Sequence, residues 1–525
     1  MMFKRSISSM GLFFTAVGGI IGSGWLFGPM YAAQLAGPAA IISWILGGIL
    51  MLFISFTFAE LAAAFPRAGG MVHFGSLSHG TGLGFVIGWM IWLSSVVIAP
   101  VETLALLQYS ATYIPGLMHT VGSVHMLTLQ GTIAAAIIMA FMVVLNALGA
   151  SFFSKSNTPI VLLKIGVPML VVVVLLIMDF HSNNFVSITA GGFAPFGWKG
   201  IITALPLGGI IFSFIGSSSA INLGGEAKNP QVGIPLAIIG SILFCMILYV
   251  LIQTAFIGAL TPSFFAKGWS HLSFTGDAGP FAGILIALGA SWMVLIIYAD
   301  AFISPFGTGY IYTAGTARAA YALSEIGFFG KFLQPLSKAG VPVRALILNY
   351  LVGMLLFLPF HGWQNMVEFL ISCFVIAYSV GPISLYVLRK TQKNVHRPFR
   401  LPAYQLVCYI AFYVCNLLVI WVGWNIVQNL LVAILIGFAI LVNRLCRMSA
   451  KQRRIQFQQN WWLLPYIIGL GILSYLSSFG GGKNIMTFGY DFFVIALFSL
   501  VIFICAVCSV KADANNEVIK IEVAL

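Results

Sequence analysis

The sequence predicts an all-α polytopic membrane protein: two inverted five-helix repeats followed by about four further spans, fourteen in total. Three observations predict it: an extremely apolar composition, apolar runs along the whole chain, and two Gly/Ser-rich interruptions five runs apart. Of 525 residues, 60% are hydrophobic and 7% charged, against about a quarter charged in a soluble domain. A soluble fold this apolar would expose large greasy patches, so the bilayer is the expected solvent. The formal charge of +13 does not mark a nucleic-acid binder. The cations fall in short bursts between apolar runs, which is the signature of membrane topology.

The expected spans, numbered below as segments 1 to 14, are 10–36, 39–65, 82–113, 126–149, 158–180, 201–225, 234–260, 281–316, 344–360, 364–389, 403–424, 426–446, 461–479 and 490–510. Each provides nearly the roughly 20 apolar residues that a crossing helix needs, or more. Segment 1 follows Lys4 and Arg5 like a signal peptide, but its apolar run continues without a small-residue cleavage site, so an uncleaved first span is expected. Alternate connections, beginning with the N-terminus, hold 21 Lys and Arg against 3 in the others. Both termini are therefore expected in the cytoplasm, with an even number of spans. The polar stretches 317–343, 389–402 and 447–460 and the tail 511–525 read as loops. The seven cysteines, at 245, 373, 408, 415, 446, 505 and 508, lie mostly within apolar runs, where packing is expected rather than a disulfide framework.

No phosphate loop or dinucleotide fingerprint is present, so uphill transport would have to draw on another gradient. The first interruption is Gly18-Gly19-Ile20-Ile21-Gly22-Ser23-Gly24, in segment 1. The second runs from Gly208-Gly209 through Gly216-Ser217-Ser218-Ser219 to Gly224-Gly225, in segment 6. Freed backbone groups inside a bilayer are tolerated only where they line a cavity. Two such breaks in register point to inverted repeats, 1–180 and 201–390, around a central binding site, with 400–510 as accessory spans. Close helix packing through small residues is the alternative for either break alone.

The motifs around these breaks resemble the amino acid–polyamine–organocation superfamily. The match comprises the segment 1 glycine run, Ala59-Glu60-Leu61 with Pro66 and Gly69-Gly70, Lys228-Asn229-Pro230 with Ile234-Pro235, and Ala317-Arg318 with Tyr321-Ala322-Leu323. Length and span number bring the chain nearest the proton-coupled branch that includes aspartate symporters. The resemblance implies a LeuT-like fold with substrate between segments 1 and 6. It implies that amides at Ser23 and Gly24 hold the substrate carboxylate, in keeping with anion binding at a half-helix N-terminus. Carbonyls at Ile20, Phe212 and Ile215 would take the ammonium, with Phe212 as a gating aromatic. Ser217 and Ser218 depart from the aromatic or acidic residue of many relatives and suggest a smaller or more polar pocket.

Charges within spans are costly and therefore informative. Lys164 resembles the segment 5 lysine of proton-coupled permeases; the alternatives are snorkelling, since it lies near the expected start of segment 5, and a fixed structural cation. Glu102 follows Pro100 in segment 3 and is expected to face a cavity. Asp300 precedes a further expected helix break at Ser304–Gly309. Glu60 and Glu226 are expected in ion pairs or caps near the cytoplasmic ends, and Glu368 at an interface. The eight histidines show no metal-ligand spacing, and no cofactor is implied. The sequence thus predicts a multi-pass transporter of the inner membrane, not an enzyme, with an amino acid, protons and lipid as partners. Proton-coupled import of an acidic or small neutral amino acid is the leading expectation. Amino acid/amine exchange and non-transporting sensing are the alternatives.

Overall fold

A computed structural model describes residues 5, 7–121, 124–187, 191–272, 274, 279–359, 362–446 and 449–510; the expected tail 511–525 lies outside them. Helix occupies every expected segment. Among the described residues, strand pairing is limited to one hairpin, in which Met118–Val121 runs antiparallel to Val124–Leu127, and one isolated bridge between Ile7 and Ala227. Among the described residues, ten helical stretches are long and apolar enough to cross a membrane, or eleven if the bent pair Gly197–Leu207 and Ile210–Asn222 counts as one. The chain is therefore a multi-pass membrane protein. The difference from fourteen falls where helices are broken or short. Segment 1 is split, segment 9 holds Val343–Leu355 and segment 13 holds Leu463–Leu476.

Both expected interruptions are real breaks. In segment 1 the helix Ser9–Ile20 stops, and a second helix, Gly24–Ala36, begins after three non-helical residues. In segment 6, Gly209 adopts φ +75°, a left-handed conformation open to glycine at little cost, and the 53° bend follows it. The two breaks touch through backbone: a Cβ on Gly216 would lie 2.1 Å from the Gly19 carbonyl carbon and the Ile20 nitrogen.

Three details differ from expectation. The helix Ser291–Glu325 runs unbroken through Ser304–Gly309, with Pro305 inside it. The interruption falls earlier, at Gly289 (φ +73°), which separates it from Pro280–Ala287. Five of the six residues of this stretch are buried, so one lost N–H at Pro305 is tolerated. The expected connection after segment 2 contains a buried helix, Gly70–His79. Segment 5 starts at Ala150 rather than near 158. Lys164 is therefore about 21 Å along the helix at 1.5 Å per residue, and it is fully buried. Its ammonium is bonded within the bundle, to the Gly18 carbonyl and Thr308, rather than directed to the surface.

At one end of the bundle Glu60 (segment 2) is the hub of a polar network. Its carboxylate accepts from Arg389 Nε at 2.8 Å, from Arg397 at 3.3 Å and from the Leu401 amide at 2.7 Å. The Arg389 guanidinium also lies over the Tyr404 ring at 4.2 Å. Glu226, just after segment 6, pairs with Arg318 on the helix Ser291–Glu325, both buried. Removing one partner of a buried pair leaves an uncompensated charge, at about 3–5 kcal/mol. Glu60→Gln should therefore lower the thermal unfolding midpoint of the purified protein by several degrees, and Glu60→Gln/Arg389→Gln should recover part of that loss.

Candidate functional site

The break in segment 1 frees backbone groups, and the site is assembled from the side chains that satisfy them. The Gly18 carbonyl accepts from Lys164 Nζ and lies 3.0 Å from Thr308 Oγ1. Thr308 Oγ1 is also 3.1 Å from the Ile21 carbonyl and accepts from Lys164 Nζ at 2.6 Å. The Ile20 carbonyl accepts from the Tyr249 hydroxyl at 2.9 Å. The Ser23 amide donates to Glu102 Oε2 at 2.8 Å. Segments 3, 5, 7 and 8 thus each send one polar side chain to the six residues Gly18–Ser23.

Glycine makes this convergence possible. A Cβ on Gly22 would sit 2.5 Å from Glu102 Oε1 and 2.8 Å from Thr308 Oγ1, so the bare backbone admits both groups. Lys164 and Glu102 make no direct ion pair within 4.0 Å; Thr308 and the broken backbone stand between them. Both are buried, and at low effective dielectric their attraction reaches across that gap. Glu102 Oε1 is buried without a hydrogen-bond partner. Asp300 lies to one side, its carboxylate held by Trp25 Nε1 at 3.1 Å and by Ser304 Oγ at 2.8 and 2.9 Å.

In segment 6 the Ile215 carbonyl accepts from the Tyr378 hydroxyl at 3.0 Å, and Ser218 Oγ lies 3.4 Å from the Tyr312 hydroxyl. Ser217 and Phe212 are buried. A Cβ on Gly24 would meet Ser213 Oγ at 2.3 Å and a Phe212 ring carbon at 3.5 Å, so the two half-helices pack closely there. Ser219 Oγ and Asn222 Oδ1 are buried without partners. The residues expected to bind substrate, Ile20, Ser23, Gly24, Phe212, Ile215, Ser217 and Ser218, therefore lie on two facing breaks, with Lys164 and Glu102 on the segment 1 side. The groups expected for substrate at Ser23 N, Ile20 O and Ile215 O are engaged by Glu102, Tyr249 and Tyr378.

Sequence reading missed Thr308, Tyr249 and Tyr378. One signal was available for Thr308: with Asp300 and Ser304 it forms a polar i, i+4, i+8 stripe along a single helix face. Tyr249 and Tyr378 look like any tyrosine in an apolar run.

Broken spans facing each other inside an apolar helical bundle, with buried charges on the freed backbone, define a multi-pass membrane transport protein. The chain belongs to the amino acid permease family, whose model matches residues 7–469. It is similar to the glutamate/serine transporter AimA of Bacillus subtilis (strain 168), with 39% identity covering 98% of this chain and 95% of that one. It is also similar to the aspartate-proton symporter of the same organism, with 32% identity covering 95% and 96%, and to its branched-chain amino acid permease BcaP, with 27% identity covering 83% and 92%. The chain is thus a permease, not an enzyme.

The Gly22 geometry has a direct consequence. A methyl group there overpacks the site at about 1–3 kcal/mol. Gly22→Ala should lower the thermal midpoint in detergent, whereas adding Gly22→Ala to Glu102→Ala should lower it less, because only the Thr308 Oγ1 contact is then left to overpack.

Proposed function

We propose that the protein imports an acidic or small neutral amino acid together with a proton, by alternating access around the two breaks. The observation that carries this reading is the occupancy of the broken segment 1. A buried carboxylate, Glu102, holds the Ser23 amide that a substrate would need, and a buried lysine, Lys164, holds the neighbouring Gly18 carbonyl. Glu102 sits on the Ser23 amide, where the substrate carboxylate is expected. For substrate to take that amide, Glu102 must leave it, and a proton removes the charge that would otherwise be stranded in the bundle. Lys164, held against Thr308 and Gly18, supplies the opposing charge and a second group able to exchange a proton with the carboxylate. Substrate binding and protonation are then linked through one amide. The glutamate/serine and aspartate specificities of the two relatives support an acidic or small substrate, as does the serine-rich segment 6.

The same reading takes the architecture as a LeuT-like pair of five-span repeats with four accessory spans, in the inner membrane. A central carboxylate-binding break and the positive-inside asymmetry support it. A fluorescent reporter fused after Leu525 should then light up only on the cytoplasmic side, and an external reporter at the same position should stay silent.

Transport is tested in proteoliposomes with labelled glutamate, aspartate and serine, with and without an inward proton gradient. Concentrative uptake should require the gradient. Lys164→Ala and Glu102→Gln should each reduce gradient-driven uptake at least about tenfold, the loss of one charge-assisted contact worth about 1.5–3 kcal/mol. Uptake that ignores the gradient but needs a loaded counter-substrate would replace symport with exchange. Binding without movement would make the protein a sensor.

A further inference from the structure

Trp363, the first residue of the helix Trp363–Tyr378, belongs to neither broken span yet touches both. Its indole is 4% exposed, and Nε1 donates to Ser23 Oγ at 2.8 Å. The ring lies 5.2 Å from Phe27 and is stacked on Tyr31 at 5.8 Å with an interplanar angle of 9°. Ser23, Phe27 and Tyr31 are spaced i, i+4, i+8, so Trp363 contacts one continuous stripe of the second half of segment 1. The same ring also meets segment 6. Phe212 stands edge-on at 5.8 Å, and a Cβ on Gly209 would lie 3.3 Å from the indole ring. One side chain therefore fills the gap between the two breaks, at the end toward which Gly24–Ala36 runs.

We infer that Trp363 is the lid of this site: it closes the path along the Ser23–Phe27–Tyr31 stripe and holds the Ser23 hydroxyl until it withdraws. Tyr31 is half-buried while Ser23 is fully buried, so the stripe leads from the surface inward and the ring lies across it. The Ser23 residue is divided between two neighbours. Its amide belongs to Glu102 and its hydroxyl to Trp363. Movement of the lid frees the hydroxyl and the Phe212 face together. That couples opening to the completion of a polar surface at which a small or acidic amino acid binds. What the lid admits rests on the amino-acid transport reading above; the lid itself does not.

The test compares wild type with Trp363→Phe, which keeps a ring but loses the donor, and Trp363→Ala, which removes the wedge. The full chain is measured by glutamate and serine uptake in proteoliposomes and by hydrogen–deuterium exchange in lipid nanodiscs. One hydrogen bond fewer on the closed state should raise the open fraction about fivefold. In Trp363→Phe the half-saturating external concentration should fall by about that factor with the maximal rate little changed. Amides of residues 19–31 should exchange faster, and Trp363→Ala should in addition admit L-phenylalanine. A packing residue would instead reduce folded protein and maximal rate while leaving the half-saturating concentration alone, and that pattern in both variants would overturn the lid. Unchanged exchange over 19–31 would overturn it whatever transport shows. If wild type moved no amino acid while Trp363→Phe still accelerated exchange there, the transport reading would fall and the lid would stand.

Discussion

A helix that stops inside a bilayer leaves backbone groups with no water to satisfy them, each at several kcal/mol. Much of this protein is arranged around that constraint. The carbonyls of Gly18, Ile20 and Ile21 and the amide of Ser23 are met by side chains from four other segments. In segment 6, Tyr378 does the same for Ile215. These partners fix the rotation of each helix about its own axis, because a turned helix would carry its hydroxyl or carboxylate away from the break. The close backbone approach of Gly19 to Gly216 then follows, since the two breaks share one small volume.

The charges divide into two kinds. Glu60 has both oxygens bonded, by two arginines and an amide, and ties segment 2 to the chain leading into segment 11. A network satisfied in this way rigidifies. Glu102 has one oxygen bonded and the other buried without a partner. A half-satisfied buried carboxylate gains from any change that supplies a proton, a donor or water. Glu60 thus ties elements together at one end of the bundle, whereas the unpartnered oxygen of Glu102 faces the segment 1 break; Glu226 Oε2 and Asp491 Oδ2 are likewise buried without partners.

The breaks were legible in the sequence because glycine and serine clusters act locally: they weaken a helix wherever they stand. The segments were legible for a similar reason, since hydrocarbon demands an apolar run of known length. Reading failed where tertiary packing overrode a local signal. Pro305 and its neighbouring glycines look like a break, yet that helix is continuous because other spans enclose it. The polar residues 154–157 look like the edge of a loop, yet the helix passes through them, with Ser156 Oγ bonded back to the Phe152 carbonyl. That change of register carried Lys164 from the expected interface to the interior.

The sequence alone determined the class of molecule, the location of both breaks and the few ionisable residues that could act near them. These are properties of composition and short-range order, set by the solvent a membrane provides. Only the tertiary structure decided which donor meets which freed group. Thr308, Tyr249, Tyr378 and Trp363 reach segments 1 and 6 from positions 163 to 340 residues away in the chain. No local pattern marks such partners, because hydrogen-bond choice within a bundle depends on helix rotation, and rotation is settled by the packing of all the spans together.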